Sequence, residues 1–199
     1  MCGRYVSPDE ASIEREFNLV RQDQNITPSY NVAPTQKVPV IRAVDGIRKL
    51  ETLRWGLIPF FAKGEPPKYS TINARIETVE TDEAGRKAPY FIHLNDQPLF
   101  GFAGLWDRSM KPDGIAIESV VHITMPANDL LRSIHNTGSN PHRMPAILRR
   151  EDQEAWLAGS VDEARSVLKQ YDAELMVAYE VSTRVNSPKN NDATLIDPV

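Results

Sequence analysis

Short apolar runs separated by turn residues recur along the chain, and they predict a strand-rich protein. Residues 38–44 and 47–55 flank an Asp-Gly pair at 45–46. Both positions of such a pair tolerate positive φ, so this stretch predicts a β-hairpin with a two-residue turn. The closing residue of the hairpin, Trp55, is expected in the core.

Four further segments are predicted as strands. Residues 90–94 and 99–106 lie on either side of an Asn-Asp pair and predict a second hairpin. Residues 119–125 and 175–182 alternate or run apolar, as strands do.

The first predicted helix begins near Ser7, which is the expected N-cap, with Pro8 at the first helical position and Glu10 closing a capping box. Ile13 and Phe17 fall one turn apart and are expected to bury one face.

Three more helices are predicted nearer the C-terminus. Residues 128–135 form a short one, residues 150–158 end at Gly159, and a second capping box at Ser160 and Glu163 opens a helix to about Tyr171. Its inward positions are expected to be Ala164, Val167, Leu168 and Tyr171.

Together these elements predict one α+β domain over residues 1–199, with a mainly antiparallel, barrel-like sheet core and a few peripheral helices. A βαβ rhythm is absent from the sequence, which disfavours a doubly wound sheet. A glycine-rich phosphate loop is also absent, which disfavours nucleotide-driven chemistry.

Composition narrows the class of protein. The 199 residues carry a net charge of −4 and a single cysteine, which excludes an intramolecular disulfide framework and a cysteine-rich zinc site. The sequence shows neither a membrane-length apolar run nor a signal peptide, so we expect a cytoplasmic protein in a reducing compartment, nucleoid-associated in a bacterium. The acidic balance argues against a broad basic surface but leaves room for a local basic cleft.

The cysteine is Cys2, directly after the initiator methionine. If Met1 is removed, Cys2 carries an α-amine and a thiol on adjacent carbons, with ordinary pKa values of about 7.7–8.0 and about 8.5. Such a 1,2-aminothiol condenses with an aldehyde to a Schiff base, and the thiol then closes a five-membered thiazolidine. Two alternatives stay open at this point: an inert thiol, and an N-terminal nucleophile for amide hydrolysis that uses the α-amine as its base.

Six ordered motifs make the sequence recognisable. They are Met1-Cys2-Gly3-Arg4, Tyr30-Asn31-Val32-Ala33-Pro34, Arg54-Trp55-Gly56-Leu57-Ile58-Pro59, Asn73-Ala74-Arg75, Ile134-His135-Asn136 and Arg143-Met144-Pro145-Ala146-Ile147-Leu148. In this order they resemble the SOS response-associated peptidase (SRAP) family, whose members trap abasic sites in single-stranded DNA through a covalent crosslink. The resemblance runs from Cys2 to Val199.

The resemblance implies a catalytic set of Cys2, Asn73 and His135. Members of the family lose the initiator methionine, by excision or autoproteolysis, and the exposed cysteine condenses with the ring-opened sugar of the abasic site. Asn73 would place the N-terminal residue or the sugar. His135, at the end of a short helix, would shuttle protons. We prefer it to His142, which is expected in a loop, whereas His93 and His122 are expected to be structural.

The resemblance also implies a DNA-binding set. Phosphate contacts are expected from three arginines and a further hydrogen bond from a threonine, while apolar side chains fill or splay the gap left by the missing base. This set comprises Arg4, Pro34, Phe61, Arg75, Thr124 and Arg143.

The sequence departs from the family around residues 78–86. Family members carry a longer segment there, with a Pro-Ala-Asp-Gly-Phe-Tyr-Glu-Trp-like strand that bears a catalytic glutamate. Here that motif is missing, and none of Glu77, Glu80 and Glu83 lies in its context. The domain is therefore predicted to be shortened at this point.

The leading hypothesis is a lyase-like DNA-damage protein that forms a thiazolidine with abasic single-stranded DNA, with possible autoproteolysis. The alternatives are a cysteine peptidase or amidase that uses Cys2 and His135, and a noncovalent single-strand binding module. We expect no cofactor, metal or membrane partner, and a monomer.

Overall fold

A computed structural model of the chain describes residues 3–68, 70–75, 88–95, 97–136 and 141–199. The described residues form twelve strands: β1 (Tyr5–Ser7), β2 (Ser29–Val32), β3 (Lys37–Val44), β4 (Ile47–Trp55), β5 (Asn73–Arg75), β6 (Tyr90–Leu94), β7 (Gly101–Phe102), β8 (Gly104–Met110), β9 (Ala116–Pro126), β10 (Arg143–Pro145), β11 (Ile147–Leu148) and β12 (Met176–Glu180).

Four α-helices accompany the strands: α1 (Glu10–Glu16), α2 (Asp129–Ile134), α3 (Gln153–Ala158) and α4 (Val161–Ser166). Short 3-10 helices lie at Phe60–Ala62, Arg150–Asp152, Ala173–Leu175, Thr183–Asn186 and Ala193–Ile196. None of the helices described is long and apolar enough to cross a bilayer.

Strand β9 is the centre of the main sheet. It pairs antiparallel with β8 and β10 along one edge and parallel with β4 and β5 along the other. Its residues from Ser119 to Met125 are all buried, so both faces of the strand are covered. This arrangement makes β9 the element against which the site residues are placed.

The strand-rich α+β class is confirmed. Six of the eight described strand pairs are antiparallel, as predicted. These strands form one six-stranded sheet and three two-stranded sheets, so within the described residues the sheet does not close into the barrel-like core that was expected.

The predicted β3–β4 hairpin is confirmed. Val44 pairs with Ile47, and the register continues to Lys37 and Arg54. Asp45 and Gly46 have φ values of 53° and 74°, the left-handed conformation that a two-residue hairpin turn requires. Trp55, at the end of the hairpin, is completely buried, as predicted.

The second predicted hairpin is wrong. Residues 90–94 pair with β12, from Tyr90 against Glu180 to Leu94 against Met176. Residues 99–106 instead contribute to β7, which pairs with β11, and to β8, which pairs with β9. The reason is burial: Leu94 and Met176 join the larger hydrophobic cluster, and this long-range packing outweighs the local turn signal.

The helix predictions hold with shifted ends. Helix α1 is capped by Asp9, whose Oδ1 accepts from Ser12 N at 2.9 Å, and not by Ser7, which is buried in β1. Glu10 instead accepts hydrogen bonds from the backbone of Gln24 and Ile26. Ile13 is buried as predicted.

Near the C-terminus, α3 ends at Gly159 and the predicted capping box of Ser160 and Glu163 opens α4. Helix α4 ends at Ser166, earlier than the predicted Tyr171, although Val167 and Tyr171 are still buried.

Helix α2 is held by a buried cap. The Asn128 side chain accepts from Leu131 N at 3.0 Å, and its amide nitrogen donates to Tyr171 O at 2.7 Å. Asn128 thus ties the start of α2 to the segment after α4, and the other end of α2 leads directly to His135.

We expect Asn128→Ala to lower the free energy of unfolding by about 2 kcal/mol, because it removes a helix cap worth about 1 kcal/mol and a buried hydrogen bond to Tyr171 O worth about 1 kcal/mol. Urea unfolding monitored by tryptophan fluorescence measures this loss. The matched control is Ser160→Ala, which removes the exposed cap of α4 and should cost only about 1 kcal/mol. Equal losses in the two variants would contradict the tie between α2 and the Tyr171 segment.

Candidate active site

His135 lies at the C-terminal end of α2, where its backbone N–H donates to Leu131 O at 2.7 Å. The chain returns close to this point, because His142 N donates to His135 O at 2.6 Å. Residues 137–140 between them lie outside the described part of the chain. His135 is therefore fixed from both sides by backbone hydrogen bonds, at the helix end where the sequence predicted it.

The imidazole of His135 faces the backbone of Arg143. Its Nδ1 lies 3.0 Å from Arg143 O and 3.2 Å from Arg143 N. One tautomer donates from Nδ1 to the carbonyl and leaves Nε2 as a base. The other accepts the Arg143 N–H and leaves a proton on Nε2, so both tautomers have a partner at the same place.

Burial lowers the pKa of His135 to about 4, and nearby positive charge adds to the effect, whereas the hydrogen bond to the Arg143 backbone opposes it. The ring is therefore neutral near pH 7. With Nδ1–H bonded to the Arg143 carbonyl, the neutral imidazole can accept a proton at Nε2, and the imidazolium so formed can release it, as a proton shuttle requires.

Arg143 and Thr124 form a buried pair. Arg143 Nη2 donates to Thr124 O at 2.5 Å, and its Nε donates to Thr124 Oγ1 at 3.2 Å. Both residues are almost fully buried. The guanidinium is thus fastened to β9, which gives it a structural role that the sequence did not reveal. Its predicted contact with a DNA phosphate stays a prediction, as does the predicted role of Thr124.

Asn73 lies beside β9. Strand β5 pairs in parallel with β9, and this register sets Asn73 against His122 and Arg75 against Thr124. The Oδ1 and Nδ2 atoms of Asn73 are both buried and have no hydrogen-bond partner among the residues that the structure describes. An unsatisfied buried amide costs about 1–3 kcal/mol, and a catalytic role is one of the explanations for such a group in a native protein.

The N-terminal segment and His135 line the same cavity, whereas Asn73 and Thr124 are not part of its lining. Gly3, Arg4, His135 and Arg143 all line one cavity of about 2110 Å³. Arg4 is held there by two hydrogen bonds, from Nη1 to Asn31 Oδ1 at 3.3 Å and from Nη2 to Asn186 O at 3.0 Å. Cys2 lies outside the described residues, but its neighbour Gly3 is part of this lining.

Phe61 and Pro34 lie outside this lining. Phe60 and Phe61 form an exposed aromatic turn, 70% and 65% accessible, with ring centroids 5.4 Å apart. The sequence did not indicate what holds the turn: Asp107 Oδ2 accepts from Phe60 N, and Ser109 Oγ accepts from Gly64 N, both at 2.8 Å. Pro34 is partly buried in the turn between β2 and β3.

The two histidines expected to be structural lie in strands, His93 in β6 and His122 in β9. His122 packs in an aromatic cluster, with its ring centroid 4.9 Å from that of Trp55, 5.1 Å from Phe102 and 5.8 Å from Tyr5. Among the described residues no group of three histidine, cysteine, aspartate or glutamate side chains is arranged to hold a metal ion.

Comparison with known proteins identifies the family. The family model described as SOS response associated peptidase (SRAP) matches residues 1–84 and 80–188. This chain belongs to the SRAP family.

Relatives match the SRAP chain over nearly its whole length. The abasic site processing protein YoqW of Bacillus subtilis is 36% identical over 228 residues, which cover 99% of each chain. The abasic site processing protein YedK of Escherichia coli is 27% identical, with 100% of each chain covered. A crystal structure of a Bacteroides thetaiotaomicron protein superposes with a TM-score of 0.82 at 27% identity, covering both chains completely.

The alignment with YoqW spans 228 positions, whereas this SRAP chain has 199 residues, so that relative has residues without a counterpart here. The sequence around residues 78–86, which we predicted to be shortened, lies outside the described residues.

The burial of His122 leads to a pH-dependent stability. Desolvation lowers the pKa of His122 from 6.5 to about 4. Between about pH 6.5 and pH 4, His122 is therefore protonated in the unfolded chain and neutral in the folded protein. Stability is therefore complete above about pH 6.5 and decreases as the pH falls toward 4.

We expect His122→Phe to remove this pH dependence. When the pH is lowered from about 6.5 to about 4.5, the unfolding free energy of the variant should fall by about 2 kcal/mol less than that of the wild type. Urea unfolding at several pH values measures the slope. The difference at pH 7.5 reports the cost of the substitution itself and serves as the internal control. An identical pH slope in both proteins would show that His122 does not titrate as its burial requires.

Proposed function

We propose that this SRAP protein processes abasic sites in single-stranded DNA by forming a covalent thiazolidine through Cys2, after Met1 is removed. The relatives that match the whole chain are abasic site processing proteins, which supports the coarser part of the proposal. The observation that carries the finer part is the single cavity lined by Gly3, Arg4, His135 and Arg143. Gly3 at the start of the chain and the neutral His135 both face this cavity, which supports a shared role in the reaction.

The proposed chemistry uses the aminothiol of Cys2. The α-amine attacks the aldehyde carbon of the ring-opened sugar, and the carbinolamine loses its oxygen as water to give a Schiff base. The thiol then adds to the same carbon, and its proton ends on the ring nitrogen. One water is released, one C–N and one C–S bond form, and no redox partner is needed.

His135 is proposed to carry protons between these steps. The carbinolamine hydroxyl must gain a proton to leave, and the amine and thiol must each lose one. Because burial keeps the imidazole neutral and Arg143 supports both tautomers, His135 can act in either direction without a large rearrangement. None of these proton transfers requires a glutamate.

Asn73 is proposed to orient the sugar or the N-terminal residue. Its amide offers one acceptor and one donor group, both buried and both without a partner in the described part of the protein. A sugar hydroxyl can satisfy such an amide, because it donates and accepts hydrogen bonds.

The DNA strand is proposed to follow the arginines and to stack on the exposed aromatic turn. Arg4, Arg75 and Arg143 would supply positive charge near phosphates, with Thr124 as a further hydrogen-bonding group. Phe61 and Pro34 would contact the gap at the missing base. Binding by these contacts weakens with salt and tolerates different sequences.

The first test is a single substitution at the nucleophile. We expect the wild type to give a gel-stable adduct with an abasic oligonucleotide and Cys2→Ala to give none, because alanine lacks the thiol that closes the ring. A denaturing gel and the intact mass of the product measure the outcome. An equal adduct yield from Cys2→Ala would disprove the thiazolidine. Hydrolysis of a peptide without DNA would favour a peptidase instead, and binding without any adduct would favour a noncovalent module.

The second test concerns the proton carrier. We expect His135→Ala to slow adduct formation at saturating DNA by about a hundredfold, within the range of about 10²–10⁴ that general acid–base catalysis contributes. His93→Ala, in β6, is the matched histidine control and should react like the wild type. If both variants reacted at the wild-type rate, His135 would have no part in the chemistry.

A further inference from the structure

We propose that Asn31 is a positioning residue, which fastens the C-terminal segment to the N-terminal segment and so places the reactive end of the chain. The inference rests on the proposed function but adds a residue to which no role in the reaction has been assigned. Asn31 lies in β2, opposite the start of the chain, because Tyr5 of β1 pairs with Val32.

Asn31 uses its whole side chain. Only 2% of the residue is exposed, and Nδ2 donates to Ser187 O at 2.9 Å and to Asn190 O at 2.8 Å. Its Oδ1 accepts from Arg4 Nη1 at 3.3 Å. A buried amide with all these groups paired is a rigid junction, because the loss of any one bond leaves a buried polar group unsatisfied.

Arg4 closes the link on the other side. Its second nitrogen, Nη2, donates to Asn186 O at 3.0 Å, so the guanidinium spans Asn31 and the C-terminal segment. Arg4 is two residues from Cys2, and two residues of chain reach at most about 7 Å. We therefore expect a displacement of Arg4 to alter where the nucleophile can lie.

The C-terminal segment is itself well anchored. Asn191 Oδ1 accepts from Tyr30 N at 2.7 Å and from Ser29 Oγ at 3.2 Å, which adds a second attachment to β2. Arg184 pairs with Asp192 at 2.8 Å, and Leu195 is completely buried. The segment can thus serve as a fixed support for Asn31 and Arg4.

Two substitutions at Asn31 separate the two sides of the junction. Asn31→Asp keeps an acceptor for Arg4 but replaces the donor that faces Ser187 O and Asn190 O with a carboxylate oxygen, which repels both carbonyls. Asn31→Ala removes every bond of the side chain. Asn191→Ala removes the second attachment and leaves Asn31 unchanged. The matched control is Asn95→Ala, whose exposed side chain donates to Glu174 O at 3.0 Å.

The experiment compares four measurements on the full-length variants. They are the adduct rate at saturating abasic oligonucleotide, the affinity for an intact strand, the rate of thiazolidine formation with a small free aldehyde, and amide hydrogen exchange of the segments 3–6 and 186–191. We expect Asn31→Asp to lower the saturating adduct rate at least about tenfold, because misplacement of a reacting group by about 1 Å costs up to about a hundredfold.

The other readouts identify positioning as the cause. The reaction with a small free aldehyde should stay at the wild-type rate, because the aminothiol is intact and needs no alignment there. The affinity for an intact strand should fall less than the adduct rate, because Arg4 is only one of the proposed phosphate contacts, and hydrogen exchange of both segments should rise. Asn191→Ala should show the same pattern more weakly, and Asn95→Ala should match the wild type.

Several outcomes would overturn the inference. Wild-type adduct rates in both Asn31→Asp and Asn191→Ala would do so, as would unchanged hydrogen exchange in these variants. If Asn31→Ala does not fold, these other two variants decide the question. A wild type that forms no adduct would instead overturn the proposed function, and hydrogen exchange would still test whether Asn31 joins the two segments.

Discussion

The pairing of β9 with other strands along both of its edges is the constraint on which the site depends. Strand β9 has partners on both edges, and its residues from Ser119 to Met125 are all buried. The register of β9 against its partners is therefore fixed, because a shift by one residue would turn every side chain to the opposite face of the sheet. The register brings Asn73 beside His122 and sets Thr124 between β5 and β10. Arg143 then bonds Thr124, and His135 faces Arg143. Each step of this chain of contacts starts from β9.

The electrostatics of the site follow from the same packing. The Arg143 guanidinium donates to the backbone carbonyl and the hydroxyl of Thr124, so its positive charge is held near the imidazole of His135. Together with burial, this charge disfavours protonation of His135.

Local signals in the sequence were sufficient for some elements and not for others. The turn at Asp45 and Gly46 was predictable because its conformation depends on these two residues alone. The partner of β6 was not, because β12 lies far along the chain and pairing is decided by shared burial. The helix leading to His135 was predictable because Leu130 and Ile134 fall one turn apart, and the structure places it at Asp129–Ile134. The bonds from Arg143 to Thr124 and from Asn31 to Ser187 join distant segments, and nothing in the local sequence encodes them.

The unsatisfied amide of Asn73 has a consequence for the lifetime of the protein. Within the part that the structure describes, the free protein bears the cost of two buried groups without partners. A bound sugar that pairs with them returns this free energy to the folded state, and a covalent bond makes the gain permanent. Under this proposal the adduct resists unfolding, and therefore proteolysis, better than the free protein.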